Sequence, residues 1–351
     1  FFCLALSLLI LAAWISVPAQ AARRGPAEIT LLSFGSMRGE LVTCGCRSMP
    51  KGGLASRAAL VDSLRTAGTP FLHLELGDFS QIDGQDPAFE TGFIWSMLER
   101  TGVDAVAFGP RDFAMWETIE PLLAKTSMRA IVSNVSATRD GRAVPLGRKS
   151  EVLEVNGVRV GLFSLVGKAE VTRARLPRGM ALEGRDPLET AQELVPELRA
   201  QADIVVLMSQ MDPSDTNRLL ETVDGIDIAL YGQSPVWERE ARRVGRTIVN
   251  ETGDRGQFSG ELTLVVDPRG EITSFVSRNR ALGKLVAEDA EVAGLISGVE
   301  ARIKEMEAEA RRKVMAAAAS PPGQTPEQSQ PVDSGQMTEP HGPTEPIRTT
   351  E

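Results

Sequence analysis

From residue 28 onward, short apolar runs alternate with longer stretches in which apolar residues recur at every third or fourth position. The runs EITLLSF (28–34), FLHLELG (71–77), DAVAFG (104–109), RAIVSN (129–134), DIVVLMS (203–209) and DIALYG (227–232) are rich in branched side chains and closed by Gly, Ser or Asn. Such runs predict buried strands. Between them, LASRAALVDSLRTAG (54–68), AFETGFIWSMLERTG (88–102), FAMWETIEPLLAKT (113–126), DPLETAQELVPELRAQ (186–201) and DPSDTNRLLETV (212–223) carry helical spacing. Several open on Asp-Pro, an N-cap followed by a residue whose fixed φ suits the first turn. Two stretches read as hairpins: 152–167, turning at Asn156-Gly157, and 260–277, turning at Asp267–Gly270. This alternation predicts one α/β domain over residues 28–280, with layered sheets between helices. Residues 288–318 then predict a charged amphipathic helix with Val292, Leu295, Val299, Ile303 and Met306 along one stripe. The segment 320–351 is rich in Pro, Gln, Thr and Glu and has no buriable face, so it reads as a disordered acidic tail.

Composition narrows the setting. Residues 1–21 hold no charge and end in Ala-Gln-Ala, the pattern of a secretory signal peptide. An uncleaved anchor is the rival reading, since the apolar run, at roughly 17 residues, is close to spanning length. Either reading exports the remainder to the periplasm or cell envelope and limits any membrane contact to that segment. Outside it the cysteines are Cys44 and Cys46, too few for a disulfide framework in an oxidising compartment. The fold must therefore rest on its core, which 42% hydrophobic residues readily supply. A net charge of −9 argues against nucleic acid as a general partner.

Histidine is scarce: His73 and His341 are the only two. His73 falls inside an apolar strand, which predicts a satisfied interior residue, and His341 falls in the tail. A serine hydrolase is disfavoured, because no nucleophile elbow is present and His73 is the domain's only histidine.

Ligand sites in open α/β sheets lie at the carboxyl ends of strands. Those ends read SFGSMRGEL, LELGDFS, AFGPRDFA, VLMSQMD and LYGQSPVW, accompanied by KGGLASR, TGVDAVAFG, VNGVRVGLFSL, ADIVVLMS and GIDIALYG. The ordered set, from Ile29 to Val265, resembles the exported 5′-nucleotidase and UDP-sugar hydrolase branch of the calcineurin-like metallophosphoesterases. The resemblance implies a metallophosphoesterase-like layered sandwich, two mixed sheets flanked by helices, and a cleft holding two metal ions. Against that pattern the ligand positions depart. Asp-x-His is replaced by Ser36 and Arg38, Gly-Asn-His-Glu by Gly109-Pro110-Arg111-Asp112, Ser-His by Ser209-Gln210, and Gly-His-x-His by Gly232-Gln233-Ser234-Pro235. Only Asp78, after Gly77, keeps a metal-binding side chain among these positions.

One carboxylate aided by serine and glutamine does not hold a divalent pair, so no cofactor is expected, with a divalent ion on a reduced site as the alternative. The substitutions favour arginine. Arg38, Arg47, Lys51, Arg57 and Arg111, with Asp78, Gln210 and Gln233, form a candidate site for a small anion such as phosphate or a nucleotide. A structural ion pair of Asp78 with Arg38 or Arg111, closing a dead site, is the competing expectation.

The loop TCGCRSMPKGGLASR (43–57) adds sulfur. Its Cys-Gly-Cys followed by a Gly-Gly-Leu-Ala helix start resembles a diverged nucleotidase-like lineage, seleno- or cysteine-containing, whose metal ligands have also decayed. Three chemistries stay open for Cys44 and Cys46: a labile, redox-active pair working with an envelope redox partner, a soft-metal site, or an inert local disulfide. The leading reading is a non-hydrolytic exported protein acting in anion binding or thiol chemistry. An active phosphoesterase on a reduced metal site, or a partner-binding module using the decayed cleft and the 288–318 helix, are the alternatives.

Overall fold

The apolar runs pair into two mixed sheets. A computed structural model describes residues 25–43, 52–236, 238–283 and 287–319. The segment 1–21, Cys44, Cys46, Arg47, Lys51 and the tail 320–351 lie outside the described residues. The first sheet comprises β1 (Ala27–Phe34), β2 (Phe71–Glu75), β3 (Ala105–Ala107), β4 (Arg129–Ile131), β14 (Phe258–Val266) and β15 (Ile272–Ser277), in the order β15-β14-β1-β2-β3-β4. A short β16 (Arg280–Ala281) also pairs with β14. The second comprises β7 (Ser150–Val155), β8 (Val158–Val166), β10 (Ile204–Gln210), β11 (Ile228–Tyr231), β12 (Arg242–Val244) and β13 (Thr247–Glu251), in the order β12-β13-β11-β10-β8-β7. The neighbours within β1 to β4 run parallel, as do those in the series β13, β11, β10 and β8, while hairpin strands complete the edges antiparallel.

Strand periodicity explains the layering. Along β10, Ile204, Val206 and Met208 join Ile29, Leu31, Leu74, Leu262 and Leu264 in the core between the sheets. Val205 and Leu207 turn the other way, onto α6 (Pro187–Arg199) and α7 (Pro213–Thr222). A strand buried on both faces thus reads as a continuous apolar run. The outer face of the first sheet is covered by α1 (Leu54–Thr66), α2 (Pro87–Arg100) and α4 (Trp116–Leu123), with Ile94, Trp95, Leu98, Trp116 and Ile119 at the contact. Four layers, helix, sheet, sheet and helix, result. Both predicted hairpins form, and the first turns through Asn156 and Gly157 at φ 49° and 74°, the left-handed torsions that a tight two-residue turn demands.

Three expectations need correction. The stretch 113–126 is not one helix: α3 (Pro110–Ala114) ends at Met115, whose φ of −102° and ψ of 20° leave the helical region before α4 starts. The break accompanies full burial of both Phe113 and Trp116, which pack ring to ring with their centroids 6.1 Å apart. A third sheet of β5 (Val135–Arg139), β6 (Arg142–Val144) and β9 (Met180–Gly184) was not predicted, nor were β12, β13 and a short α5 (Lys168–Arg173). Most of these elements are short or polar and carry little periodicity. In the final helix, α8 (Ala290–Ala319), Val292, Ile296 and Val299 are buried and Ile303 is partly so, whereas Leu295 is 40% exposed. At 3.6 residues per turn Leu295 falls about 60° from Val292, off the buried stripe. Residues from Met306 onward form a separate unit, described only as the last turns of this helix.

Candidate functional site

The parallel strands bring their carboxyl ends to one edge. Ser36 follows β1, Asp78 follows β2, Gly109 to Asp112 follow β3, Gln210 ends β10 and Gln233 follows β11. Ser36, Arg38 and Asp78 adopt left-handed torsions, with φ 47°, 54° and 56°, at the sharp turns out of β1 and β2. Each costs about 1–3 kcal/mol for a residue with a β-carbon, and such strain concentrates at functional sites.

Side chains from these ends clasp the sheets together. The Ser36 hydroxyl donates to Gly232 O at 2.5 Å, and the Gln210 amide nitrogen donates to Leu76 O. The Gln233 amide nitrogen donates to Asp78 Oδ2 at 2.5 Å, and the Arg111 backbone N–H donates to Asp78 Oδ1 at 2.9 Å. Asp112, three residues into the Gly109 turn, is fully buried. Its Oδ2 accepts from the N–H groups of Asp78 at 2.6 Å and Gly109 at 2.9 Å, and its Oδ1 from the Ser80 N–H at 3.0 Å and hydroxyl at 2.7 Å. Burial raises both carboxyls. Asp112 is pushed up to about 7, with the neighbouring Asp78 charge adding to the desolvation.

The floor of this cleft is packed rather than open. A β-carbon on Gly109 would lie 2.3 Å from Asp78 Oδ1 and 2.5 Å from Gln210 Oε1, and one on Gly232 would lie 2.4 Å from Gln210 Nε2. Glycine is therefore required where Asp78 and Gln210 press against backbone. Both oxygens of Asp78 and both of Asp112 already accept hydrogen bonds, and among the described residues no three His, Cys, Asp or Glu side chains converge as metal ligands. This donor set does not fit a pair of divalent ions, which needs several carboxylate or imidazole ligands to balance charge.

The arginines are dispersed. Arg38 turns to Asp254, Nε to Oδ1 at 2.9 Å, with its side chain 41% exposed. Arg111 donates from Nε to Ser80 O at 3.0 Å and lies 4.0 Å from Asp83 Oδ2. Asp78 is thus closed by a backbone N–H and an amide, and neither arginine supplies the ion pair that the sequence suggested. Arg57 is a clear departure from a cleft ligand. It lies inside the protein, 3% exposed, bonded from NH1 to Glu75 Oε2 at 2.5 Å and paired through NH2 with His73 Nε2 at 2.9 Å, its guanidinium 4.1 Å from the Phe34 ring centre. A small anion in the cleft does not reach it. Burial, then the Arg57 charge, push the His73 pKa well below its ordinary range, so the ring is neutral. Its Nε2 accepts from Arg57, which leaves Nδ1–H to donate to Thr101 O at 3.2 Å. His73 is a satisfied interior histidine.

Gln210 is wholly buried and Gln233 partly so; both belong to the clasp. Sequence reasoning gave no role to Asp112 or Ser80. The signal for Asp112 was present in Gly-Pro-Arg-Asp, since an acid three residues after a helix-entry glycine closes onto that glycine's N–H.

No established family profile matches the chain. It is 21% identical over 268 residues to a snake venom 5′-nucleotidase of Gloydius brevicauda, covering 69% of this chain and 45% of that protein. The chain thus spans less than half the length of this curated relative. Among solved structures it superposes on a 5′-nucleotidase precursor of Thermus thermophilus with TM-score 0.65 and 20% identity, covering 84% of this chain and 60% of that one. The sulfate thiohydrolase SoxB of the same organism gives 0.68 at 18% identity, with coverage of 79% and 61%. The calcineurin-like phosphoesterase YfkN of Bacillus subtilis gives 0.65 at 16% identity, with coverage of 80% and 99%. With its two mixed sheets between helices and its strand ends gathered at one edge, the chain carries the fold of the 5′-nucleotidase-like, calcineurin-like metallophosphoesterases.

Proposed function

We propose that the protein is a non-hydrolytic, exported binding protein whose working surface is the rim of the cleft at the strand ends. One observation carries this reading: the place where the fold's hydrolases would hold metal is occupied by a closed network in which Asp78 and Asp112 accept from amides, a hydroxyl and backbone N–H groups. The network neutralises the carboxylates by dipoles and leaves no convergent ligand set for a nucleophile-activating ion. Function moves outward, to a rim that carries Arg38 and Arg111 and suits an anionic ligand.

The test is turnover by the full chain of p-nitrophenyl phosphate and nucleoside 5′-monophosphates with added Mn²⁺, Zn²⁺ or Mg²⁺, together with metal content by mass spectrometry. The expected result is no hydrolysis and no stoichiometric metal. Two bound ions per chain with hydrolysis would restore the phosphoesterase reading.

A second activity, thiol exchange at Cys44 and Cys46, draws support from the base of their loop. Thr43 bridges Gly52, whose N–H donates to Leu282 O at 3.1 Å. A β-carbon at Gly52 would meet Gly256 O at 3.5 Å, in the turn that also carries Asp254, the partner of Arg38. The chain therefore leaves for and returns from this loop beside the cleft rim. Thiol titration should reveal two further thiols only after mild reduction; two freely titrating thiols without reductant would remove the labile-disulfide version. Cell fractionation of the full chain checks export.

A further inference from the structure

Arg111 and Arg175 share one carboxylate. Asp83 presents Oδ2 to Arg111 NH2 at 4.0 Å and Oδ1 to Arg175 NH1 at 3.6 Å. Both separations exceed hydrogen-bond length, so Asp83 holds the two guanidiniums by charge alone. The contrast with Arg38, seated on Asp254 at 2.9 Å, separates a finished ion pair from a loose one. Arg111 is fixed from behind by its Nε bond to Ser80 O, and its side chain is only 19% exposed. Asp83 and Arg175 are 72% and 77% exposed, so both are free to reorient in water.

At Asp83 two positive charges thus meet one negative charge that spans them with its two oxygens, while the buried Asp78 carboxylate acts on Arg111 from behind. We propose that Arg111 and Arg175 form a seat for a phosphate group at the cleft mouth, with Asp83 as the resident counter-charge that the phosphate displaces. The proposal rests on the non-hydrolytic reading above and adds to it a ligand class, a binding residue in Arg175 and a competing carboxylate. A tetrahedral dianion satisfies the arrangement better than Asp83 does. It brings twice the charge, and its several terminal oxygens accept from both guanidinium forks at once, the geometry in which arginine binds phosphate most strongly. Because Arg111 is already oriented, binding orders chiefly Arg175.

Calorimetry on the full chain at low ionic strength, with inorganic phosphate and a nucleoside 5′-monophosphate as probes, tests this. Arg175→Gln should weaken binding by about tenfold or more, as expected for losing a charge-assisted hydrogen bond. Asp83→Asn should tighten it several-fold, because the internal competitor is gone. A tighter monophosphate than inorganic phosphate assigns the seat to a phosphate ester and equal affinities assign it to free phosphate; both support the seat. An unaltered affinity in Arg175→Gln, or an unaltered or weakened one in Asp83→Asn, overturns it. So does the absence of binding by either probe. The same samples assayed for hydrolysis keep the two ideas apart: no binding with no turnover sinks the seat alone, whereas turnover sinks the non-hydrolytic reading.

Discussion

Glu75 and Asp78 sit three residues apart at the end of β2, and the protein neutralises them in opposite ways. Glu75, fully buried, faces the guanidinium of Arg57, which also contacts His73 and the Phe34 ring. Asp78, with Asp112 behind it, faces N–H and O–H dipoles from Arg111, Gln233, Gly109 and Ser80. The first region balances charge with charge, and the second balances charge with dipoles. Burial raises the Glu75 carboxyl as well, but there the Arg57 charge opposes it, so the energy of the pair is exposed chiefly when one partner is removed. A dipole network leaves proton uptake as a further way to relieve the buried charge, so its energy is exposed when pH changes.

The largest expected effect breaks the ion pair. Arg57→Met should cost about 3–5 kcal/mol, because Glu75 is left buried and uncompensated, and Arg57→Met with Glu75→Leu should recover much of that loss. Urea unfolding of both variants measures it; a single-variant loss below about 1 kcal/mol, far under that expectation, would erase the contrast between the regions. Gly109→Ala comes next, at about 1–3 kcal/mol, since the added methyl must displace Asp78 or Gln210. Thermal melts should show the loss, and an unchanged midpoint would mean that the cleft floor yields freely.

Asp112 sharpens the comparison through pH. Its folded pKa is pushed up to about 7, so between the ordinary carboxylate range and that value the native state holds a proton that the unfolded chain has released. Its contribution to stability is therefore fullest at acid pH and is lost as pH rises toward 7. Asp112→Asn should flatten that slope in denaturant unfolding across the window, at a cost of about 1–3 kcal/mol from imperfectly satisfied N–H donors. A slope identical to that of the parent would show Asp112 to be ionised throughout. The smallest effect belongs to Gln233→Ala. It removes a single hydrogen bond to Asp78 from a half-buried position and should cost about 1 kcal/mol, leaving the fold intact by circular dichroism.

Much of the architecture was legible because strands buried on both faces read as apolar runs, as in residues 204–208, and because Asn156-Gly157 encodes its own turn. Short polar strands such as Arg142–Val144 and Arg242–Val244 carried no such signal, since their stability comes from neighbours. In α8, helical spacing is ambiguous by one residue at the edge of the stripe, and the surface it packs on selected Ile296 over Leu295.

At the candidate site, the residues after each strand were readable in order, because the apolar runs mark where each strand ends. What each arginine does was not readable. A long side chain of fixed charge pairs with whichever carboxylate the fold brings within reach, and that depends on distant segments: Arg57 met Glu75 inside the core, Arg38 met Asp254 and Arg175 met Asp83. The sequence by itself determined the layers, the hairpins and the scarcity of histidine, all properties of local pattern and composition. Only the tertiary structure decided which charges are buried against a partner and which face water, because Coulomb and desolvation energies depend on distances across the fold that no local pattern encodes.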